Sequence, residues 1–243
     1  MKLIFVYLFC LAFAGSTPHE NWYEANQAYD KGDYDTAIQT YHALLNSGIE
    51  SSDLYFNLAN GYFKKGNLGL SIYYFRKAHA LSPRDPDTQF NLNYAREKAS
   101  DQIESKESLG SKVVKFFFSV SEKEAYLLSL AAIILLFGSA TLFLFFKQDW
   151  LRICRNGLMG ITVFALISLL VHLFLREPFG VVVASEAKVF SGIGRDNVVL
   201  FTLHEGSEFV VNDSHEGGDW VRIKLADGKQ GWLRSADIVH EKV

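Results

Sequence analysis

The rhythm of apolar and polar positions divides this 243-residue chain into stretches of different kind. Over residues 17–100, large, small, aromatic and glycine positions return at an interval of 34 residues. Phe56, Asn57 and Leu58 recur as Phe90, Asn91 and Leu92, and Trp22 and Asn26 fall in register with Phe56 and Asn60. Gly32 matches Gly66, Ala37 matches Ser71 and Tyr41 matches Phe75. That period predicts stacked helix–turn–helix repeats, which bury a shared face and leave a concave surface for other chains. Residues 101–124 then form a polar linker and an interfacial segment, where Lys115 stands beside Phe116, Phe117 and Phe118. Residues 125–146 and 157–176 are almost wholly apolar. Each is long enough to cross a hydrocarbon core of about 30 Å at about 1.5 Å per residue.

From residue 181 to residue 243 the pattern changes to short β-rich runs. Val221, Ile223 and Leu225 alternate with Trp220, Arg222 and Lys224, the mark of a half-buried strand. Gly217-Gly218 and Asp227-Gly228 read as turns between strands. Five or so short strands in this space predict a small barrel.

Charge adds sidedness. Between the apolar runs, residues 147–156 carry Lys147, Arg152 and Arg155 against Asp149 alone, which predicts a cytoplasmic loop. At the start, Lys2, an apolar core and Ala12-Phe13-Ala14 over residues 1–16 read as an export signal, cleaved or kept as an anchor. Both readings place the repeats and the strand-rich module on the non-cytoplasmic side. His172 falls near the outer end of the second span, where it is expected to reach the interface. The barrel starts close behind that span, whereas the repeats are expected to hang more freely on their linker. A net charge of −3 with no basic stripe argues against nucleic acid. Two cysteines, Cys10 and Cys154, build neither a disulfide framework nor a cysteine metal site.

The chemistry of catalysis is not visible. His-Glu pairs occur at 19–20, 204–205, 215–216 and 240–241. A zinc protease helix needs a second His four residues after the first, and Glu208 and Asp219 stand there instead. Gly192-Ile193-Gly194 lacks the third glycine and following helix of a dinucleotide site. The chain is expected to be no enzyme and to carry no cofactor.

The repeats resemble tetratricopeptide repeats. The second matches best, through Tyr55, Leu58, Ala59, Tyr62, Gly66, Leu68, Ser71, Phe75, Ala78 and Pro83. The first has Ile49 where the closing proline is expected, and the third offers only its first helix, read as a solvating cap. In that family the first helix of each repeat lines the groove. The resemblance therefore implies a partner-binding wall of Trp22, Asn26, Tyr29, Phe56, Asn60, Phe63, Lys64, Phe90 and Tyr94. An amide at Asn26 or Asn60 can pair with a peptide backbone, and the aromatics supply buried area. Several of those aromatics can equally pack between helices.

The C-terminal module resembles bacterial SH3-like domains, above all in Asp227-Gly228-Lys229-Gln230-Gly231-Trp232-Leu233. There Gly231 is expected to permit a close backbone approach and Trp232 to fill a barrel end. The predicted architecture is thus multidomain: all-α tetratricopeptide helical repeats, a two-helix transmembrane hairpin and a C-terminal all-β SH3-like barrel. This order resembles the E components of the Bacteroides aerotolerance (Bat) operon. That resemblance implies a scaffold of the bacterial inner membrane, linked to stress or oxygen tolerance. Its implied partners are other Bat-type membrane proteins with von Willebrand A-type domains, with a MoxR-type ATPase on the cytoplasmic side. The alternative is a membrane-anchored protein that binds or senses peptidoglycan through the SH3-like module.

Overall fold

A computed structural model describes residues 17–101, 103, 109–194, 196–215 and 217–241. The expected export signal over residues 1–16, with Cys10, lies outside them, as do residue 102 and residues 104–108 of the linker.

Five helices form the repeats: α1 (Pro18–Asp30), α2 (Tyr34–Asn46), α3 (Ser52–Lys64), α4 (Leu68–Leu81) and α5 (Pro86–Lys98). Local chemistry sets their starts. Thr17 and Glu20 make a reciprocal capping box at α1, while Asp33, Ser51 and Asp85 cap α2, α3 and α5 through backbone N–H groups. Gly32 and Gly66 occupy the same left-handed conformation 34 residues apart, with φ of 80° and 81°. Only glycine takes that conformation without strain, so the repeat in sequence is a repeat in backbone. Ala25, Ala37, Tyr41, Leu44, Leu54 and Leu58 pack as one core.

A second core joins the repeats to the strands. Ala59, Ile72, Phe75, Leu92 and Ala95 enclose Phe179 and Val181 from the sheet. The third repeat's helix therefore keeps the solvated outer face of a cap and also joins the stack to the sheet. Nor do the repeats hang freely: Ile103, inside the expected linker, packs on the core of the sheet.

The seven strands are β1 (Phe179–Val182), β2 (Glu186–Phe190), β3 (Val199–His204), β4 (Glu208–Ser214), β5 (Trp220–Lys224), β6 (Gln230–Arg234) and β7 (Ile238–His240). They form one antiparallel sheet in the order β3-β2-β6-β5-β4-β1-β7. Its edges, β3 and β7, are not paired with each other, so the sheet is open where a closed SH3-like barrel was expected. The alternation of β5 is as read: Val221 and Ile223 are buried while Arg222 and Lys224 are exposed. At Gly231 a Cβ would stand 2.4 Å from the Val189 side chain and 2.9 Å from the Phe190 carbonyl, so the close approach is real. Trp232 does not fill the interior. The inward positions of β6 are Gly231 and Leu233, and Trp232 is half-buried on the other face.

Among the described residues, two helices are long and apolar enough to cross a membrane, α7 (Glu122–Phe146) and α8 (Asp149–Leu175), preceded by the short α6 (Leu109–Phe117). Only Lys147 and Gln148 separate the two long helices. The loop expected over residues 147–156 is mostly the first turns of α8, where Arg152 pairs with Asp149 at 3.1 Å. Small residues let the pair close: Ser129 Oγ lies 2.8 Å from the Ala125 carbonyl and 3.0 Å from that of Ala165 on α8. His172 is buried against its neighbours. Its Nδ1 lies 2.9 Å from the Ser168 carbonyl and its Nε2 2.9 Å from the Val120 carbonyl, which ties α8 to the segment between α6 and α7.

Ion pairs fasten the same end of these helices to the repeats and the sheet. Arg176 reaches Glu122 at 3.3 Å and Glu241 at 2.9 Å, and Lys77 on α4 approaches Glu241 at 3.8 Å. Arg84, between α4 and α5, pairs with Glu124 at the start of α7.

Candidate interaction surface of the repeats

The residues read as a groove wall lie on α1, α3 and α5, and they divide into packers and presenters. Trp22 meets Tyr41 edge to face with ring centres 6.1 Å apart, and Tyr29 meets Tyr34 at 5.3 Å. Phe56 meets Phe75 at 5.7 Å beside the second core. These three rings spend much of their area on their own fold. Phe90, by contrast, is 71% exposed and Tyr94 43% exposed. Phe63 lies 5.7 Å from Tyr94, and Lys98 places its ammonium 5.0 Å above the Tyr94 ring. Lys64 is exposed on the same helix as Phe63.

The amides form a ladder. Asn26 Oδ1 accepts hydrogen bonds from the Tyr41 hydroxyl at 2.6 Å and from Asn57 Nδ2 at 3.2 Å. Asn60 Oδ1 accepts one from Asn91 Nδ2 at 3.3 Å. Both rungs span 31 residues, joining the first helix of one repeat to that of the next. Asn26 and Asn60 thus commit their carbonyls inward, while their Nδ2 donors have no hydrogen-bond partner among the described residues. Burial, helped by Tyr29, pushes the Tyr41 hydroxyl up to about 12, so it remains a donor to Asn26 at any ordinary pH.

Sequence reasoning missed Asn57, Asn91 and Lys98 as members of this surface. The Phe-Asn-Leu recurrence already contained both asparagines, and their 31-residue offset from Asn26 and Asn60 was the available signal. The surface therefore joins two parts. One is a structural end around Trp22, Tyr29 and Tyr41. The other is an open end of Asn60, Phe63, Lys64, Phe90 and Tyr94 that offers an amide donor, an ammonium and exposed aromatic faces.

Residues 52–85 match the family profile of the tetratricopeptide repeat, which spans α3 and α4. No curated protein matches the chain.

Proposed function

We propose that this chain is a non-enzymatic scaffold held in a bacterial inner membrane by α7 and α8. Its repeats grip a segment of a partner protein at the open end of the α1–α3–α5 surface. Tetratricopeptide repeats serve protein–protein interaction, and the matched repeat supplies half of that open end. The observation that carries the reading is the Asn60 Nδ2, without a partner among the described residues, beside the half-buried Phe63 of α3 and the exposed Phe90 and Tyr94 of α5. A donor there holds an extended backbone without reading its side chains. The membrane reading is supported by burial: only 11% of the most apolar window of α7 and 22% of that of α8 are buried, unlike the core helix of a soluble protein. The domain order supports membership of a Bat-type complex, with a von Willebrand A-type membrane protein as partner and a role in stress or oxygen tolerance.

A photo-crosslinking residue in place of Phe90, in native membranes, tests this. The expected product is a von Willebrand A-type membrane protein, lost when Asn60→Ala is added while the melting temperature is retained. Gly66→Val serves as the folding control. It meets no atom within 4 Å, so its cost is the left-handed backbone alone, about 1–2 kcal/mol. If Asn60→Ala melts the repeats like Gly66→Val, or leaves the crosslink intact, the groove assignment is wrong.

A further inference from the structure

His172 is buried in the last turn of α8, at the end that leads into the sheet. Both of its ring nitrogens meet backbone carbonyls. Nδ1 lies 2.9 Å from the Ser168 carbonyl, one turn back on the same helix, and Nε2 lies 2.9 Å from the Val120 carbonyl. A carbonyl oxygen only accepts hydrogen bonds, so each contact asks its nitrogen for an N–H. A neutral imidazole carries one N–H and the imidazolium carries two. In this pose a neutral ring would aim a bare lone pair at an oxygen 2.9 Å away. The pose fits the protonated ring.

The two contacts differ in what they join. The Ser168 contact is internal to α8, where that carbonyl also serves the helix's own ladder. The Val120 contact crosses to the turn between α6 and α7. Phe118 of that turn meets the His172 ring edge to face, with centres 4.9 Å apart. The amides of the turn are bonded back to α6: Phe118 to Val114, Ser119 to Phe116 and Val120 to Phe117. Beside the packing of Phe117 on Phe164, His172 thus supplies a polar tie from this turn to α8.

The ionisable groups of the elements packed around it are few. They are Lys112 and Lys115 on α6, Glu122, Lys123, Glu124 and Tyr126 at the start of α7, and Arg176 one turn beyond His172. Glu122 is held by Arg176, and Glu124 by Arg84 and the Ser121 backbone. Among the described residues no carboxylate bonds the His172 ring. A proton gained or lost there is therefore felt in the two carbonyl contacts.

We propose that His172 is a proton-operated latch: the protonated ring fastens the α6–α7 turn to the end of α8, and loss of a proton releases it. The proton has a short route, because Arg176 one turn away is exposed. Arg176 bonds both Glu122 at the start of α7 and Glu241 just beyond β7. The latch stands one turn from the ion pairs that seat the sheet on the helical hairpin. Acid on the side where the repeats and sheet lie tightens that seat, and alkaline conditions relax it.

Ring-nitrogen NMR and hydrogen exchange on the full chain in lipid nanodiscs, with isotopically labelled histidines, test the latch. The His172 signal is the one lost in His172→Gln. Between about pH 5 and about pH 9, both ring nitrogens are expected to carry protons at the acid end and one at the alkaline end. Over the same titration, exchange at the amides of residues 118–120, corrected for its intrinsic pH dependence, should rise about tenfold. That dependence should vanish in His172→Gln, whose amide does not titrate. It should persist in His204→Gln, which removes the ring beside Asp101 in the sheet. A ring whose protonation does not change over this range would overturn the latch, as would a neutral ring with residues 118–120 still protected. The same pH dependence in His172→Gln, or its loss in His204→Gln, would overturn it too. Should His172→Gln not fold, the ring is assigned by its contact with Phe118 and the two titrations of the parent chain decide. Their coincidence supports the latch and their independence overturns it.

Discussion

Arg96 holds Glu208 with two parallel hydrogen bonds, Nε to Oε1 at 2.6 Å and Nη2 to Oε2 at 2.9 Å, across the joint between α5 and β4. Burial pushes the Glu208 carboxyl up, but Arg96 and then Arg76 outweigh it and hold it below the usual carboxylate range. Such a group contributes stability that is complete above the unfolded value of about 4.3 and is lost as pH falls through the lower folded value. Melts of the full chain should therefore weaken below about pH 4.5. Glu208→Gln should cost about 1–3 kcal/mol at neutral pH, through two guanidiniums left facing each other, and should reduce the acid sensitivity. The same acid slope in the variant would show that the pair has no part in it.

Gly69 marks the closest approach of repeats and sheet. Its N–H donates to Glu205 at 3.0 Å, and a Cβ added there would stand 2.2 Å from the Val182 carbonyl. Backbone does not yield as a side chain does, so Gly69→Ala should push β1 away from α4 at about 1–3 kcal/mol. Hydrogen exchange should rise at the amides of β1 while those of α1 and α2 stay protected. Unchanged exchange at β1 would count against the tight joint.

Ser71 stands where the repeat pattern favours alanine. It is fully buried, and its hydroxyl has no hydrogen-bond partner among the described residues. Ser71→Ala should stabilise the chain by about 1 kcal/mol, because an apolar group removes an unmet desolvation cost. A melt that moves downward instead would reveal a partner for the hydroxyl in solution.

Sidedness can be read chemically. Cys154 is exposed in the first turns of α8, and Ser214 is exposed at the end of β4. In intact spheroplasts an impermeant thiol reagent should label Ser214→Cys and spare Cys154. Labelling of Cys154 alone would invert the orientation.

The repeat register was legible because it lives in local features: small residues where helices touch, glycine where the turn is left-handed, a polar cap before each helix. The hairpins of the sheet were legible for the same reason, since Asp227-Gly228 and the alternation of Val221 and Ile223 are local signals. What stayed hidden involves residues far apart in the chain. Nothing near Phe179 announces that it will lie against Tyr73 and beneath Arg76, and nothing near Asp101 announces Ser207. Barrel closure is also a long-range property, decided by whether the edge strands meet. Trp232 is a different case. Its size suggested a core role, but the alternation that buries Gly231 and Leu233 had already turned it outward.

The seating of Phe179 and Val181 against α4 and α5 has a further consequence. β1 lies against α4, in one core with Leu92 and Ala95 of α5, and the described stack holds three first helices. Three first helices at about 8–10 Å spacing give a binding face about 20 Å across. An extended backbone advances about 3.3 Å per residue. The face is then a ruler of fixed length, with room for about six residues, and whatever it recognises must be written in a segment that short.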